Sequence, residues 1–293
     1  QTFEAEGAME LELPAHGIDI AGFARSSLIR EMITRRGMFH PRYGAPPLYY
    51  GTSACCDGFQ DTFVAAAAAF LEHGLMDTAK GVIDTYFTYY VRRGAVINVR
   101  GPEMAQFGRM LTVMAQFYRY SNGDASLLLK HESKLMDIQS MLMRRHAASL
   151  LLPSTDPSRG IIRGIDEADE LFVWTEASSE LPHISMNLEA WRGFRDLAGA
   201  WSAVAQQHSR PDLARLATAL SQNATALKRY AERAINMSVI RDTKTGSVCN
   251  PYVAGERTCG YMGNPAMAGP GPFLHPNDRA SEPFRSYSGM FYS

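Results

Sequence analysis

The sequence predicts an all-α fold built from helical hairpins, and three observations support this prediction. Apolar side chains recur at spacings of three and four residues through most of the chain. Short polar turns join the periodic segments in pairs. Long connections that contain Gly, Pro and aromatic residues separate one pair from the next. A short link between two helices makes them antiparallel neighbours, so this order predicts three stacked helix pairs.

Residues 1–16 are expected to form a strand-like or linker segment, and residues 17–293 a helical-hairpin domain. The first segment alternates apolar and acidic side chains and contains Pro14 near its end. Residues 18–36 carry apolar side chains at helical spacing before Gly37, which predicts a helix. Residues 38–57, with their prolines and tyrosines, predict a long aromatic loop.

The first helix pair is predicted over residues 58–72 and 76–92. The earlier segment contains an alanine run, which favours a helix and permits close contact with a neighbour. His73 and Gly74 mark the turn between the two segments. The later segment has a broad apolar face that includes Tyr86 and Phe87.

The same pattern then repeats twice. The remaining helices are predicted over residues 103–120 and 127–146, then 185–207 and 211–238, with loops over 93–102 and 147–182. The short turns are expected at one end of the stack and the long loops at the other.

The end of the sequence has a different character. Residues 240–283 are rich in Gly and Pro and predict a loop with a short hairpin around 243–246. Residues 284–292 begin another apolar segment, so we expect a helix there and a native chain that continues beyond residue 293.

Composition narrows the functional classes. Of the 293 residues, 46% are hydrophobic and 20% charged, which is ordinary for a folded domain. The net charge of −1 gives no reason to expect electrostatic attraction to nucleic acid or to an anionic membrane. No apolar run reaches about 18 residues, so no membrane span is expected.

Cysteines and glycosylation motifs predict a secreted or extracellular protein. Cys249 and Cys259 flank a loop and are candidates for a disulfide, whereas Cys55 and Cys56 are adjacent. Neither the cysteines nor the eight histidines show the spacing of a metal site, so no metal and no cofactor are expected. Sequons begin at Asn223 and Asn236.

The most informative stretch runs over residues 160–197. Its first half is acidic and contains Asp166, Glu167, Asp169 and Trp174, whereas its second half has the apolar periodicity of a buried helix. An acidic, aromatic loop that leads into a buried helix is a place for carboxylate chemistry on a ring-shaped substrate. The alternative is a solvated acidic loop before a helix N-terminus, where acidic side chains are favoured in any case.

Three stretches resemble six-hairpin glycosidases, and the third is similar to the segment that carries substrate contacts in amylo-α-1,6-glucosidase-like and related enzymes. The first is Asp57-Gly-Phe-Gln-Asp61 after the aromatic loop. The second runs from Val99-Arg-Gly-Pro-Glu103 through residues 106–112, and the third from residues 160–169 on to 187–197. Together with helical hairpins whose long loops share one end, the resemblance implies an (α/α) toroid. About eight helices are predicted here, so the (α/α)6 barrel is either incomplete or continues beyond this chain.

The resemblance implies glycoside hydrolysis, which uses two carboxyl groups on either side of the scissile bond. The resemblance also implies inversion of configuration at the anomeric carbon, because most toroid glycosidase families invert. The resemblance favours Glu167 as the proton donor, and the other candidate catalytic carboxylates are Asp61, Asp169 and Glu103. Glu103 also opens a helix, so its role could be to interact with the helix dipole.

Substrate contacts are expected from aromatic platforms and polar groups around the carboxylates. The candidates are Tyr49, Tyr50, Asp57, Arg100, Arg163, Asp166, Trp174, Trp191 and Arg192. Four of them have competing interpretations. Asp57 is also a candidate N-cap, Trp191 lies at core spacing with Phe194, and Arg163 and Arg192 are suited to holding loops together.

Two further interpretations remain open. Asp166 to Glu170 faintly resembles the magnesium motif of helical prenyl-diphosphate enzymes, but no second carboxylate cluster accompanies it. The other is a non-catalytic structural or glycan-binding glycoprotein on the same fold, with self-association in an extracellular assembly. The predicted partner is carbohydrate in the enzyme and glycan-binding interpretations.

Overall fold

The computed structural model describes residues 22, 26–27, 29, 39, 60–96, 104–164, 180–241, 248–249 and 253–255. These residues are mostly helical (74%) and include few strands, which confirms the all-α prediction. The helices are α1 (Gln60–Glu72), α2 (Met76–Tyr89), α3 (Met104–Tyr120), α4 (Ser126–Lys130), α5 (Glu132–Ser149), α6 (Ile184–Gln207) and α7 (Pro211–Ser238). Short strands form two antiparallel pairs, β1 (Val91–Arg92) with β2 (Ala95–Val96) and β3 (Ile240–Arg241) with β4 (Val248–Cys249).

Three tight turns create the three hairpins predicted from the sequence. α1 turns into α2 through Gly74 at φ 76°, a conformation that favours glycine. α3 is followed by Asn122 and Gly123, both at positive φ, and then by α4 and α5. α6 and α7 are joined through Ser209, and Pro211 is the first residue of α7, where a missing N–H costs nothing.

The second helices of the three hairpins, α2, α5 and α7, run in the same direction. Three contacts show this, because the residue numbers rise together from residues 80–93, which lie in α2 and the β1–β2 turn after it, to residues 124–137, which run from the turn before α4 to the start of α5: Lys80 with Asp124, Asp84 with His131, and Arg93 with Asp137. α5 and α7 follow the same rule. Arg210 pairs with Glu132 near their starts, and the rings of His146 and Tyr230 meet further along.

Because each hairpin is antiparallel, α1, α3 and α6 are also parallel to one another. We call α1, α3 and α6 the first layer, and α2, α5 and α7 the second layer. The first-layer helices begin, and the second-layer helices end, at what we call the long-connection end. The turns after α1, α3 and α6 lie at the opposite end, as the sequence predicted.

The core lies between the two layers. Phe63 of α1 stacks on Tyr86 of α2 with ring centroids 3.9 Å apart, and Trp201 of α6 is fully buried. α3 is enclosed most completely, since every residue from Met104 to Phe117 except Arg109 is buried. Such enclosure makes α3 the helix on which the first layer is assembled.

Two glycines allow α3 and α6 to cross closely. A Cβ on Gly108 would lie 2.3 Å from the carbonyl carbon of Glu189, and a Cβ on Gly193 would lie 2.4 Å from the carbonyl oxygen of Gly108. Both distances are shorter than van der Waals contact with backbone that cannot move aside. The crossing therefore requires glycine on both helices.

Some local features differ from the sequence-based prediction. One helix was expected over residues 127–146, but the chain breaks at His131 into α4 and α5. The His131 ring bonds to Asp84 Oδ1 at 2.8 Å and lies against Phe87, so a tertiary contact holds the break. A tight hairpin, β1–β2, occupies the start of the loop predicted after α2, with Gly94 in its turn.

The predictions near the chain ends are covered only in part. The helix expected over residues 18–36 contains four described residues in helical conformation, Gly22, Ser26, Ser27 and Ile29. The helix expected over 284–292 and residues 1–16 lie outside the described residues. Strands β3 and β4 bracket the hairpin expected around 243–246. None of the described helices is long and apolar enough to span a lipid bilayer.

We predict that replacing Gly193 with Ala destabilises the protein, because the new methyl group overlaps the α3 backbone. The free energy of unfolding should fall by about 1–3 kcal/mol or more in urea titration. Gly199→Ala is the matched control in the same helix, since a Cβ there meets nothing within 4 Å. It should raise stability by up to about 1 kcal/mol. Equal effects of the two variants would contradict a tight crossing.

We predict that stability falls with acidification because of His131 and His146. Burial lowers the pKa of both histidines. The hydrogen bond to the Gly160 carbonyl oxygen partly offsets this lowering of the His146 pKa, and nearby Arg229 adds to it. Asp84 partly offsets the lowering of the His131 pKa. The unfolded chain therefore binds more protons than the folded one below about pH 6.5, and stability present above that pH is lost as pH falls. Each histidine contributes a slope of at most about 1.4 kcal/mol per pH unit.

Urea titrations between pH 7.5 and 5 test this prediction. His146→Asn keeps a donor for the Gly160 carbonyl oxygen, which lies 2.7 Å from His146 Nδ1, but it removes the titrating ring. The variant should lose stability less steeply than the wild type. An unchanged slope would show that protonation of His146 is not coupled to folding.

Candidate functional site

Many of the predicted site residues lie outside the part of the chain that the structure describes. They are Tyr49, Tyr50, Asp57, Arg100, Glu103, Asp166, Glu167, Asp169, Trp174 and Cys259. The candidate catalytic residue Asp61 lies in the first turn of α1. The candidate substrate residues that the structure describes are Arg163, Trp191 and Arg192. The residues on either side of the undescribed ranges show where these connections start.

The two ends of the acidic segment between residues 164 and 181 are joined by backbone hydrogen bonding, and we call this junction the loop base. Gly164 N donates to the Leu181 carbonyl oxygen at 3.1 Å, an antiparallel bridge that brings the two ends of the segment together. Arg163 Nε donates to the Glu180 carbonyl oxygen at 3.2 Å. The described contact of Arg163 therefore holds the loop base, which is one of the two roles considered for it.

Arg145 of α5 ties this base to the second layer. Its Nη1 donates to the Arg163 carbonyl oxygen at 2.8 Å and to Glu180 Oε1 at 3.2 Å. One guanidinium thus contacts both ends of the acidic segment. The Glu180 side chain is 63% exposed, so we attribute the positioning mainly to the backbone contact.

Asn187 ties the base to the first layer. Its Oδ1 accepts a hydrogen bond from Ile162 N at 3.2 Å, and the side chain is fully buried in the first turn of α6. Gly164 lies against Met104, since a Cβ on Gly164 would be 2.2 Å from Met104 Cγ. The described end of the acidic segment, Gly164, therefore lies beside the first residue of α3.

A polar cluster links α3 and α6 just below this point. Arg109 Nε donates to Glu189 Oε1 at 2.7 Å, and Arg109 Nη1 donates to Gln106 Oε1 at 3.4 Å. Glu189 is 1% exposed and Gln106 is 4% exposed. An ion pair this deeply buried costs desolvation energy, which makes a purely stabilising role a weak explanation for it.

Further along the same two helices, Asp196 is surrounded by arginines. Arg195 Nε lies 2.9 Å from Asp196 Oδ1, and Arg119 and Arg192 each lie 3.8 Å from its Oδ2. The predicted substrate residue Arg192 therefore lies beside an acidic partner one turn away on its own helix. This arrangement favours the structural alternative that was considered for Arg192.

Trp191 is half-buried on the side of α6 that faces α7. Arg195 lies 4.9 Å and Lys228 5.5 Å from its ring, so two cations contact the indole. Trp191 also packs against the core cluster. These contacts fit the core role better than that of an open sugar platform.

The glycosylation motifs both fall on α7. Asn236 is exposed in the last turns of the helix, whereas Asn223 is half-buried in its middle. Asn236 is thus the more accessible acceptor. A groove of about 830 Å³ lies next to it, lined by Pro153, Pro157, Met237, Val239 and Gly255 among others. Cys249 lies in β4, and its predicted disulfide partner is outside the described residues.

Sequence reasoning did not select Glu189, Asn187, Arg145 or Gln106 as site residues. Glu189 carried no signal, because it lies between the apolar positions 188 and 191 and reads as an ordinary polar residue of the helix. Arg145 carried none, since its role depends on two backbone carbonyls far from it in sequence. No group of three His, Cys, Asp or Glu side chains suited to a metal occurs within the described residues.

Comparison of the chain with protein-family models, with curated proteins and with solved structures found no match in any of the three.

We predict that Arg145→Met loosens the base of the acidic segment, because both hydrogen bonds from its guanidinium are lost. Amide exchange at Gly164 should accelerate by about 3–10-fold, as expected for one net hydrogen bond. Hydrogen exchange followed by mass spectrometry measures this. Arg144→Met is the matched control, since Arg144 is the exposed neighbour on the same helix. Equal exchange in both variants would remove Arg145 from this role.

Proposed function

We propose that the chain is a glycoside hydrolase on an (α/α) toroid that acts on an oligosaccharide or polysaccharide, with inversion of configuration. One observation carries the proposal. Asp61 lies in the first turn of α1 and the other candidate carboxylates lie in connections that begin or end at the long-connection end, where the described residues Met104 and Gly164 are in contact. Glycoside hydrolysis requires two carboxyl groups on either side of the scissile bond, and chain segments that meet at one end of the fold are suited to supply them.

The layered helices support a toroid. Each consecutive hairpin places one helix in the first layer and its partner in the second, and the direction is the same each time. Repetition of this step with a constant rotation generates a closed double ring. The three described hairpins correspond to half of a six-hairpin ring.

The candidate carboxylates are attached to described residues that meet in the first layer. Asp61 follows Gln60, whose Nε2 lies 3.8 Å from the Met110 sulfur of α3. Glu103 precedes Met104, and Asp166, Glu167 and Asp169 follow Gly164 closely in sequence. The candidate carboxylates thus come from three separate parts of the chain, each next to or within a few residues of a described residue at this end.

In the proposed mechanism Glu167 protonates the leaving-group oxygen as general acid. A second carboxylate, from among Asp61, Glu103 and Asp169, accepts a proton from the attacking water as general base. An inverting enzyme holds the two groups ~6.5–9.5 Å apart to leave room for that water. Tyr49, Tyr50 and Trp174 are proposed as sugar platforms beside them.

A second candidate function is a non-catalytic structural or glycan-binding glycoprotein that self-associates outside the cell. The burial of polar side chains along α3 favours it, because Gln106 and Gln116 are only 4% and 9% exposed. A first layer whose polar face is covered offers less room for a substrate. The exposed acceptor Asn236 fits an extracellular location, which is the proposed location for both functions.

We predict that Glu167→Gln lowers kcat by about 10²–10⁴-fold on any glycan that the wild type hydrolyses, because the amide cannot donate the proton. Glu170→Gln in the same acidic run is the matched control and should keep its activity. Proton NMR of the first products should show inverted anomeric configuration. Full activity of Glu167→Gln would remove it from the mechanism, and binding without hydrolysis by the wild type would favour the second function.

A further inference from the structure

Arg109 is the one partly accessible residue in the buried stretch of α3. Its side chain is 18% exposed, whereas all its neighbours from Met104 to Phe117 are buried. It lies little more than one helical turn from Met104, which contacts the base of the acidic segment at Gly164. Its guanidinium is therefore located just inside the long-connection end.

The guanidinium is held in a fixed orientation. Glu189 Oε1 accepts from Nε at 2.7 Å, and Gln106 Oε1 accepts from Nη1 at 3.4 Å. Arginine has five N–H donors in a rigid plane, and these two bonds use two of them. Within the described residues, the second Nη1 hydrogen and both Nη2 hydrogens have no protein acceptor.

The partner that holds Arg109 is unusually well constrained. Glu189 is 1% exposed and lies on the α6 turn that crosses Gly108. Because Gly108 and Gly193 bring the backbones together, the carboxylate reaches across to the next residue of α3. A buried acceptor on a rigid helix prepares the remaining donors for a ligand before it binds.

We propose that Arg109 is a ligand-binding residue whose Nη1 and Nη2 groups each donate one unused hydrogen to a pair of neighbouring hydroxyl oxygens on a neutral sugar, and that Glu189 is its positioning residue. The nature of the ligand rests on the proposed function. The planar fork of the guanidinium matches two adjacent oxygens, which an ammonium group does not.

Charge decides between a hydroxyl pair and a sugar carboxylate. Glu189 already balances the positive charge of Arg109 at 2.7 Å. Asp166 and Glu167 follow Gly164 within three residues in sequence, and this acidic composition disfavours an anionic ligand. Neutral hydroxyls accept hydrogen bonds without adding a third negative charge.

Calorimetric titration of the full chain with defined oligosaccharides tests the proposal. The probes are neutral glucan oligosaccharides with α or β linkages and an oligogalacturonate as the acidic arm. Arg109→Met should raise Kd for the neutral ligand by about 10-fold or more, because a pair of charge-assisted hydrogen bonds is lost. Arg109→Lys, which keeps the charge without the fork, should not restore the affinity.

Two further variants separate binding from folding. Arg119→Met is the matched control, since Arg119 pairs with Asp196 on α6 but lies about 15 Å along the same helix. It should leave Kd within about 2-fold. Arg109→Met combined with Glu189→Met removes both charges and serves if the single variant fails to fold. The double variant should also bind at least 10-fold more weakly.

Each outcome bears on one proposal or both. Tight neutral-sugar binding by Arg109→Met overturns the role of Arg109 and leaves the proposed function standing. Weakened binding in a protein that never hydrolyses supports Arg109 and rejects the hydrolase. Preference for oligogalacturonate overturns the hydroxyl assignment. A wild type that binds no probe overturns the ligand-binding role and the carbohydrate function together.

Discussion

The close crossing of α3 and α6 is the constraint on which the rest of the described fold depends. Gly108 and Gly193 remove the side chains that would hold the two helices apart. The crossing sets the direction of the first layer and places Glu189 within 2.7 Å of Arg109. It also fixes the starts of both helices at the same end, where the acidic segment leaves the fold. Packing and the candidate site therefore share one cause.

The second layer depends on charge more than on close backbone contact. Lys80 pairs with Asp124 at 2.7 Å, and hydrogen bonds from Lys80 and Ser126 outweigh burial to lower the pKa of Asp124 to about 2. At the other side, Arg210 pairs with Glu132 between α7 and α5. Most of these pairs are partly exposed and contribute little stability each. These pairs specify the relative direction of the second-layer helices, because a reversed helix would bring none of the partners together.

The candidate site combines a positioned loop with a fixed floor. Arg145 contacts both ends of the loop base from the second layer, and Asn187 holds Ile162 from the first layer, so the base is fixed by both layers. Below it, Glu189 and Gln106 hold a guanidinium that keeps further donors available. A carbohydrate site needs both parts, since carboxylates perform the chemistry and rigid donors orient the hydroxyl groups. The proposed function joins the two parts in one mechanism.

The sequence by itself determined the helices, the three short turns and the end at which the long connections lie, because apolar periodicity and turn residues are local signals. Helix bounds such as those of α7 agree closely with the predicted 211–238. Three features depend on contacts between residues far apart in sequence. The break at His131 depends on a partner 47 positions away, the loop base held by Arg145 on one 18 positions away, and Arg109 on a partner 80 positions away. Only the tertiary structure decided these, since no local pattern in a sequence specifies which distant side chain a charged group will meet.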